Sequence, residues 1–152
     1  MDTDQALALA AGLCRVFEGF YSAPYVCPAG KATIGYGATH YLDGRIVTLR
    51  DAPISQTTAE VMLRALLQEE FLPPVLALCP GLRTPEQLAA ILDFTYNCGV
   101  GNLRASTLRK RINAGRFEDV PAELMKWNKG GGRVLPGLTR RRKAEAELFS
   151  RT

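Results

Sequence analysis

A change of pattern between residues 17 and 37 limits the folds open to this chain more than any other part of its sequence. Before it, residues 3–17 carry apolar side chains at three- and four-residue spacing, which predicts an amphipathic helix. Within the segment FEGFYSAPYVCPAGKATIGYG that spacing is lost, and glycine and proline interrupt the run. From residue 57 onward the helical pattern returns. These patterns predict an α+β, mainly helical fold with a small antiparallel sheet near the N-terminus.

We place this sheet within residues 21–49, where Asp43-Gly44 lies between two short apolar runs, as expected for a hairpin turn. We expect it to be the only β structure in the chain. Residues 18–56 then form a small β-containing lobe. Residues 1–17 and 57–152 form the helical lobe of the same single domain.

Helix boundaries are predicted from capping residues and prolines. Thr3 or Asp4 can cap the first helix, and Thr57 with Glu60 forms a capping box. Pro73-Pro74 must end or kink the helix that begins at this capping box. A central buried helix is predicted to start at Thr84 and to stop at residues 97–101. Two short helices are predicted at about 106–114 and 117–127. A flexible loop at 130–132, a turn at Pro136-Gly137 and a final helix at 138–150 complete the chain.

Composition and charge exclude some classes of protein. A chain of 152 residues with 47% hydrophobic and 22% charged residues fits one ordinary globular domain, not a disordered segment. The formal charge of +4 favours acidic partners such as nucleic acid, an anionic membrane or an acidic wall polymer. No nucleic-acid-binding motif is present, so we expect no nucleic-acid partner.

The N-terminus predicts synthesis without cleavage or anchoring. It begins with acidic residues where a secretory signal is basic, and the apolar run at 6–13 is shorter than the roughly 20 residues that span a bilayer. The cysteines are scattered without a CxxC pair, and the sequence has one histidine, so we expect neither a metal site nor a cofactor. Cys14, Cys79 and Cys98 are expected to be small buried side chains in a reducing cytosol.

Three groups able to do chemistry lie inside the interrupted segment: Glu18, Cys27 and Thr33, nine and six residues apart. Glu, then eight residues, then Asp or Cys, then five residues, then Thr resembles the pattern of phage-type lysozymes, the endolysins of glycoside hydrolase family 24. The flanking EGF and TIGYG add to the resemblance. So do the later runs NCGVG, WN, GGR, LPGL and RRR, so that the likeness covers about residues 13–150. His40 departs from it, because Ala38-Thr39 separate it from the Gly-x-Gly turn.

The resemblance implies a lysozyme-like two-lobed fold and a role for each of the three groups. Glu18, shielded by Phe17 and Phe20, would donate a proton to the leaving oxygen of a glycosidic bond. Thr33 would hold the attacking water, although its β-branched side chain also suits a plain strand residue.

The role of Cys27 stays open, because most relatives are expected to carry Asp there. As a thiolate it can position water, offset charge at the anomeric carbon or attack that carbon, and each of these needs a lowered pKa. Alternatively Cys27 is a passive neutral residue, and Glu18 and Thr33 carry the reaction. Inversion and retention both stay open.

Three further features have two interpretations each. Tyr36 either lines the cleft or packs at a hairpin tip. His40 is expected to be a surface or structural residue, with a catalytic role as the less favoured alternative. The four cations at 140–143 form either a solvated helix face or a surface that attracts wall polymer or phospholipid.

The resemblance implies a muramidase that cleaves the β-1,4 bond between N-acetylmuramic acid and N-acetylglucosamine in bacterial peptidoglycan and lyses the host cell. A lytic transglycosylase acting on the same bond and a catalytically inactive peptidoglycan-binding protein are the alternatives. The enzyme is expected to act as a monomer with no more than weak contact to an anionic membrane. It would wait in the host cytoplasm until a holin breaches the membrane, and then act from the periplasm on the cell wall.

Overall fold

The helical patterns on either side of the interrupted segment become one helical body, and the segment itself becomes a small sheet beside it. The computed structural model describes residues 1–151. Its helices and strands are α1 (Thr3–Glu18), β1 (Tyr21–Val26), β2 (Ala32–Gly35), α2 (Gln56–Leu66), α3 (Leu72–Leu78), α4 (Pro85–Cys98), α5 (Val100–Ala105), α6 (Thr107–Asn113), α7 (Val120–Met125), β3 (Lys129–Gly130), β4 (Arg133–Val134) and α8 (Pro136–Phe149).

Helix α4 is the centre of the helical lobe. Its start follows the sequence prediction, since the Thr84 hydroxyl accepts a hydrogen bond from the Gln87 N–H at 3.1 Å and Pro85 occupies the first turn. From Gln87 to Thr95 every residue is buried. A helix that is buried on all sides must be covered by neighbours, and α1, α3, α5 and α8 pack against it.

The β-containing lobe has its own small core. Strands β1 and β2 pair antiparallel, with Tyr25 opposite Thr33 and an irregularity between Tyr21 and Tyr25. Beyond β2 the chain turns back, and the hairpin at Asp43-Gly44 closes with a bridge between His40 and Ile46. The buried apolar side chains of this lobe and of the adjoining face of α2 are Ile34, Ala38, Val47, Met62 and Leu66. The two-lobed α+β prediction is confirmed.

A second β ladder contradicts two predictions. Lys129–Gly130 pairs antiparallel with Arg133–Val134, so the sheet near the N-terminus is not the only β structure and 130–132 is not a flexible loop. Gly131 and Gly132 both have positive φ, 58° and 79°, as a two-residue hairpin turn requires. The pair of glycines was the sequence signal for this hairpin.

The other two predicted N-terminal caps, those of α1 and α2, lie one or more residues too late in the chain. The Asp2 carboxylate accepts from the Gln5 N–H at 2.9 Å, and the Ser55 hydroxyl accepts from the Thr58 N–H at 3.1 Å. Thr57 lies inside the first turn of α2, where its own N–H is one of the groups that needs a partner.

The prolines at 73–74 do not end the helical run. A π-helical turn at Leu67–Phe71 joins α2 to α3, and both prolines lie in the first turn of α3, where a missing N–H costs little. Two other boundaries differ from the prediction. Helix α5 starts directly after Gly99, where only a stop was expected, and α8 begins at Pro136 instead of residue 138.

None of the helices within residues 1–151 combines enough length with enough apolar character to cross a membrane.

Candidate active site

Glu18 is the last residue of α1, and its side chain lies between the two lobes. Gly19 ends the helix with φ 73°, a conformation that favours glycine. The carboxylate contacts the guanidinium of Arg141 on α8 through Nη1. About a fifth of the Glu18 side chain stays exposed (21%), whereas only 4% of the Arg141 side chain does. The carboxyl group therefore has one face on a buried cation and the other open to a ligand.

The Gly-Tyr-Gly turn after β2 packs directly on Glu18. A Cβ atom added at Gly37 would come within 2.8 Å of Oε1 of Glu18, and the φ of Gly37 is 82°. Both facts require glycine at this position. The hydroxyl of Tyr96 on α4 donates to the carbonyl oxygen of Tyr36 at 2.6 Å, which ties the turn to the helical lobe.

Arg141 is held in place by hydrogen bonds to Asp93, a fully buried residue of α4. Its Nε and Nη2 atoms each donate to an Asp93 oxygen at 2.9 Å, a bidentate pair. The thiol of Cys14 on α1 donates to the same carboxylate at 3.2 Å. Helices α1, α4 and α8 thus meet at one guanidinium.

The charges in this cluster stabilise each other. Burial would raise the pKa of Asp93, but hydrogen bonds from Glu145 and Arg141 hold it below its ordinary value. Burial would likewise lower the pKa of Arg141, and its bonds to Asp93 together with the charges of Asp93 and Glu18 raise it instead. These shifts favour the anionic form of Asp93 and the cationic form of Arg141.

A cleft of about 640 Å³ opens beside Glu18. Its walls come from the end of α1, the turn after β1, the end of α4 and the start of α8. The lining residues include Phe17, Glu18, Pro28, Asn97, Leu135 and Arg140. This cleft between the lobes is large enough for sugar rings to reach the Glu18 carboxyl.

Cys27 and Thr33 lie together at the turn from β1 to β2, and the residue after Cys27, Pro28, lines this cleft. The Cys27 N–H donates to the Lys31 carbonyl oxygen at 2.9 Å, which closes the turn. The Thr33 hydroxyl donates to the same carbonyl at 3.0 Å, and Thr33 is only 2% exposed. The structure therefore places Thr33 beneath the turn and not on the open face of the cleft.

The Cys27 thiol is partly exposed, and its surroundings favour the thiolate. The nearby Thr33 hydroxyl lowers the pKa of Cys27 most, followed by the Lys31 backbone N–H. Because the Thr33 hydroxyl hydrogen points to a carbonyl, it must rotate to donate fully to the sulfur.

Tyr36 and His40 both have structural partners. Tyr36 is 4% exposed, and its hydroxyl donates to Glu60 at 3.1 Å and accepts from Gln56 at 2.9 Å, so it is packed and does not line the cleft. His40 contacts Glu70 at 2.5 Å, which joins the hairpin of the β-containing lobe to the π-helical turn.

The cation run at 140–143 is neither a solvated face nor a continuous basic surface. Arg141 and Arg142 are 3% and 0% exposed, and only Arg140 and Lys143 face solvent. Arg142 pairs with the buried Glu145, one turn further along α8. Both predicted interpretations of the run are wrong for its two middle residues, because α8 turns these side chains toward α4.

Sequence reasoning missed Asp93 and Arg141. An aspartate in the buried run LAAILDFT was the available signal, because a carboxylate surrounded by apolar residues needs a cationic partner.

Of the other cysteines, Cys14 and Cys79 are buried as predicted. Cys98 is half-buried and accepts a hydrogen bond from Arg142 at 2.8 Å.

The chain is similar to proteins of a known family. The family model described as phage lysozyme matches residues 15–145. An endolysin of Acyrthosiphon pisum secondary endosymbiont phage 1 is 35% identical over 90% of this chain and 92% of its own length. An endolysin of Bacillus phage B103 is 42% identical over 90% of this chain, and the chain spans about half (51%) of that relative.

Among solved structures, the endolysin from Escherichia coli O157:H7 phage FAHEc1 superposes with a TM-score of 0.83. It is 29% identical in sequence, and the match covers 93% of this chain and 90% of that one.

Proposed function

This chain belongs to the phage lysozyme family, and from that premise we propose that it is a muramidase. It hydrolyses the β-1,4 bond between N-acetylmuramic acid and N-acetylglucosamine in bacterial peptidoglycan. The observation that carries the proposal is the Glu18 carboxyl, held by Arg141 at the wall of a cleft between two lobes. A proton donor fixed at a sugar-sized cleft is what glycoside hydrolysis needs first.

In the proposed reaction, Glu18 gives its proton to the glycosidic oxygen as the bond to the anomeric carbon breaks. Positive charge then develops on the sugar ring, and in this scheme the thiolate of Cys27, next to Pro28 of the cleft wall, stabilises it. The thiolate completes the reaction by one of two routes. It activates a water, which inverts the anomeric carbon, or it bonds to that carbon before water displaces it, which retains the configuration.

Thr33 acts on Cys27 in this scheme. Its hydroxyl is buried next to the sulfur and bonded to the Lys31 carbonyl oxygen, so it supports the turn and, after rotation, the thiolate. This position favours a supporting role over the water-holding role that the sequence predicted.

The test is a turbidity assay on membrane-permeabilised Gram-negative cells, followed by mass analysis of the glycan ends. We expect loss of turbidity and release of fragments with reducing ends. Anhydro ends would indicate a lytic transglycosylase, and binding to sacculi without release would indicate an inactive binding protein. The proton NMR signal of freshly released ends separates inversion from retention.

We also propose that the enzyme is a monomer that reaches the wall only after a holin or an equivalent breach opens the inner membrane. Expression of the chain alone should leave cells intact until chloroform is added, and lysis should follow within minutes of that addition. Lysis without chloroform would contradict this route, and an untreated culture carrying Glu18→Gln serves as the control for toxicity of expression.

A further inference from the structure

Two leucines in the wall of the cleft are not used by the fold. Leu135 and Leu138 line the same cleft as Glu18. Within residues 1–151, neither of them belongs to the buried apolar clusters of the two lobes or to the partly buried side chains packed against these clusters. Leu135 is 40% exposed. A single exposed leucine is ordinary on a protein surface, but one that lines a ligand cleft offers apolar contact area to the molecule that binds there.

The β3–β4 hairpin fixes the main chain at Leu135. Leu135 follows directly after β4, and its N–H donates to the carbonyl oxygen of Asn128, the residue before β3, at 2.9 Å. The side-chain amide of Asn128 donates to the Thr139 hydroxyl on α8 at 3.2 Å, which ties the base of the hairpin to that helix. With the main chain held in this way, the position of the Leu135 side chain depends on what lies against it.

Gly130 on β3 is the residue that lies against this side chain. A Cβ atom added at Gly130 would come within 2.6 Å of Cδ1 of Leu135, closer than two nonbonded carbon atoms approach, and within 3.9 Å of Cδ1 of Leu138. The φ of Gly130 lies outside the left-handed region, so its backbone does not require glycine. The space that an added methyl group would take is occupied by the end of Leu135.

We propose that Leu135 contacts the glycan strand bound in the cleft, and that Gly130 is a positioning residue that leaves room for the Leu135 side chain. The ligand class rests on the proposed function. N-acetylated sugars carry C–H faces and acetyl methyl groups, and covering them with an aliphatic side chain removes apolar surface from water. A methyl group added at residue 130 would displace Leu135 from the cleft wall, so that the glycan loses this contact while the hairpin is kept.

The experiment measures binding to purified Gram-negative sacculi by co-sedimentation, in a Glu18→Gln parent so that the wall is not cleaved during the assay. We expect Leu135→Ala to weaken binding by at least about fourfold, the effect of removing one methylene group from an apolar contact. Gly130→Ala should weaken binding to a similar extent, because the displaced leucine loses the same contact. The double variant should bind no more weakly than Leu135→Ala, because Gly130 acts only through Leu135.

Leu76→Ala and Gly12→Ala are the matched controls. Leu76 on α3 is also 40% exposed and does not line the cleft, and the nearest side-chain atom to a Cβ at Gly12 on α1 would be Nη2 of Arg15, at 3.9 Å. Both controls should bind sacculi as the parent does.

A kinetic measurement separates a binding role of Leu135 from a structural one. In enzyme that retains Glu18, Leu135→Ala should raise the half-saturating concentration of sacculi and leave the maximal rate within about twofold of wild type, because the contact is made both before and during bond cleavage. A purely structural role would instead lower the thermal unfolding temperature and leave binding per amount of folded protein unchanged.

Unchanged binding in Leu135→Ala would overturn the glycan contact. Unchanged binding in Gly130→Ala beside a weakened Leu135→Ala, or a double variant weaker than Leu135→Ala, would overturn the positioning role of Gly130. The double variant also covers poor folding of Gly130→Ala, because the leucine that meets the added methyl group is then absent. Failure of the proposed function is a separate result: wild-type enzyme would release no glycan fragments, whatever the Leu135 variants bind.

Discussion

Replacing Glu18 by glutamine is expected to lower the rate of wall lysis by about 10²–10⁴-fold, the usual contribution of a positioned proton donor. The amide has the size of the carboxyl group but no proton to give. Lysis of permeabilised cells, measured per amount of folded protein, checks this result. Retention of more than about a tenth of the wild-type rate would mean that Glu18 is not the general acid.

The fold should survive this change, because Arg141 keeps its two hydrogen bonds to Asp93 when the Glu18 carboxylate is removed. Thermal unfolding of Glu18→Gln is therefore expected to lie close to wild type. Glu147→Gln is the matched control, since Glu147 is exposed on the same helix as Arg141. It should keep both stability and activity.

The sequence predicted those parts of the site that depend on neighbouring residues. A helix that ends at Glu18, a hairpin that carries Cys27 and Thr33, and a tight glycine turn are local structures, and periodicity and glycine indicate them directly. The cap errors are also local. Ser55 and Thr57 are both good capping residues, and a choice between candidates two residues apart depends on packing.

The sequence did not predict the support behind Glu18, because that support joins residues distant along the chain. Asp93 and Arg141 are 48 positions apart. On α8 the inward side chains Arg141, Arg142 and Glu145 are charged, so a rule that equates charge with solvent assigns them to the wrong face. Only the three-dimensional meeting of α1, α4 and α8 shows which cations are buried.

The position of Thr33 was missed for a related reason. A threonine hydroxyl on a strand can point to solvent or back to the main chain, and the sequence does not distinguish these. The structure shows a hydrogen bond to the Lys31 carbonyl oxygen and 2% exposure. We therefore expect Thr33 to affect catalysis through the turn that holds Cys27.

Replacing Cys27 by serine is the second change with a large expected effect. The surroundings of Cys27 lower the pKa of its thiol, so the charged form is populated above that lowered value and is lost as the pH falls through it. A serine hydroxyl stays neutral throughout. We expect Cys27→Ser to lose at least about tenfold in rate, as when one charged group facing the transition state is removed.

Cys27→Asp supplies the opposite case, because aspartate restores a negative charge at the same position. It should retain activity, and its acidic limb should lie at lower pH than that of wild type, since a carboxyl ionises at lower pH than a thiol. The matched control is Cys98→Ser, which changes the other half-buried cysteine. Burial raises the pKa of Cys98, and its contact is with Arg142, so this variant should behave as wild type.

Alkylation gives an independent measurement of the same thiolate. Iodoacetamide should label Cys27 well below pH 8.5 and stop lysis, while burial and the raised pKa values of Cys14, Cys79 and Cys98 protect those thiols. Alkylation also adds bulk beside the cleft, so inhibition alone does not distinguish a charged residue from a passive one.

The serine variant decides between a charged and a passive Cys27. If Cys27→Ser lyses cells at the wild-type rate, Cys27 is passive and a negative charge at residue 27 is dispensable for the reaction. If its rate falls and Cys27→Asp restores it, the negative charge at residue 27 is what the sugar ring requires.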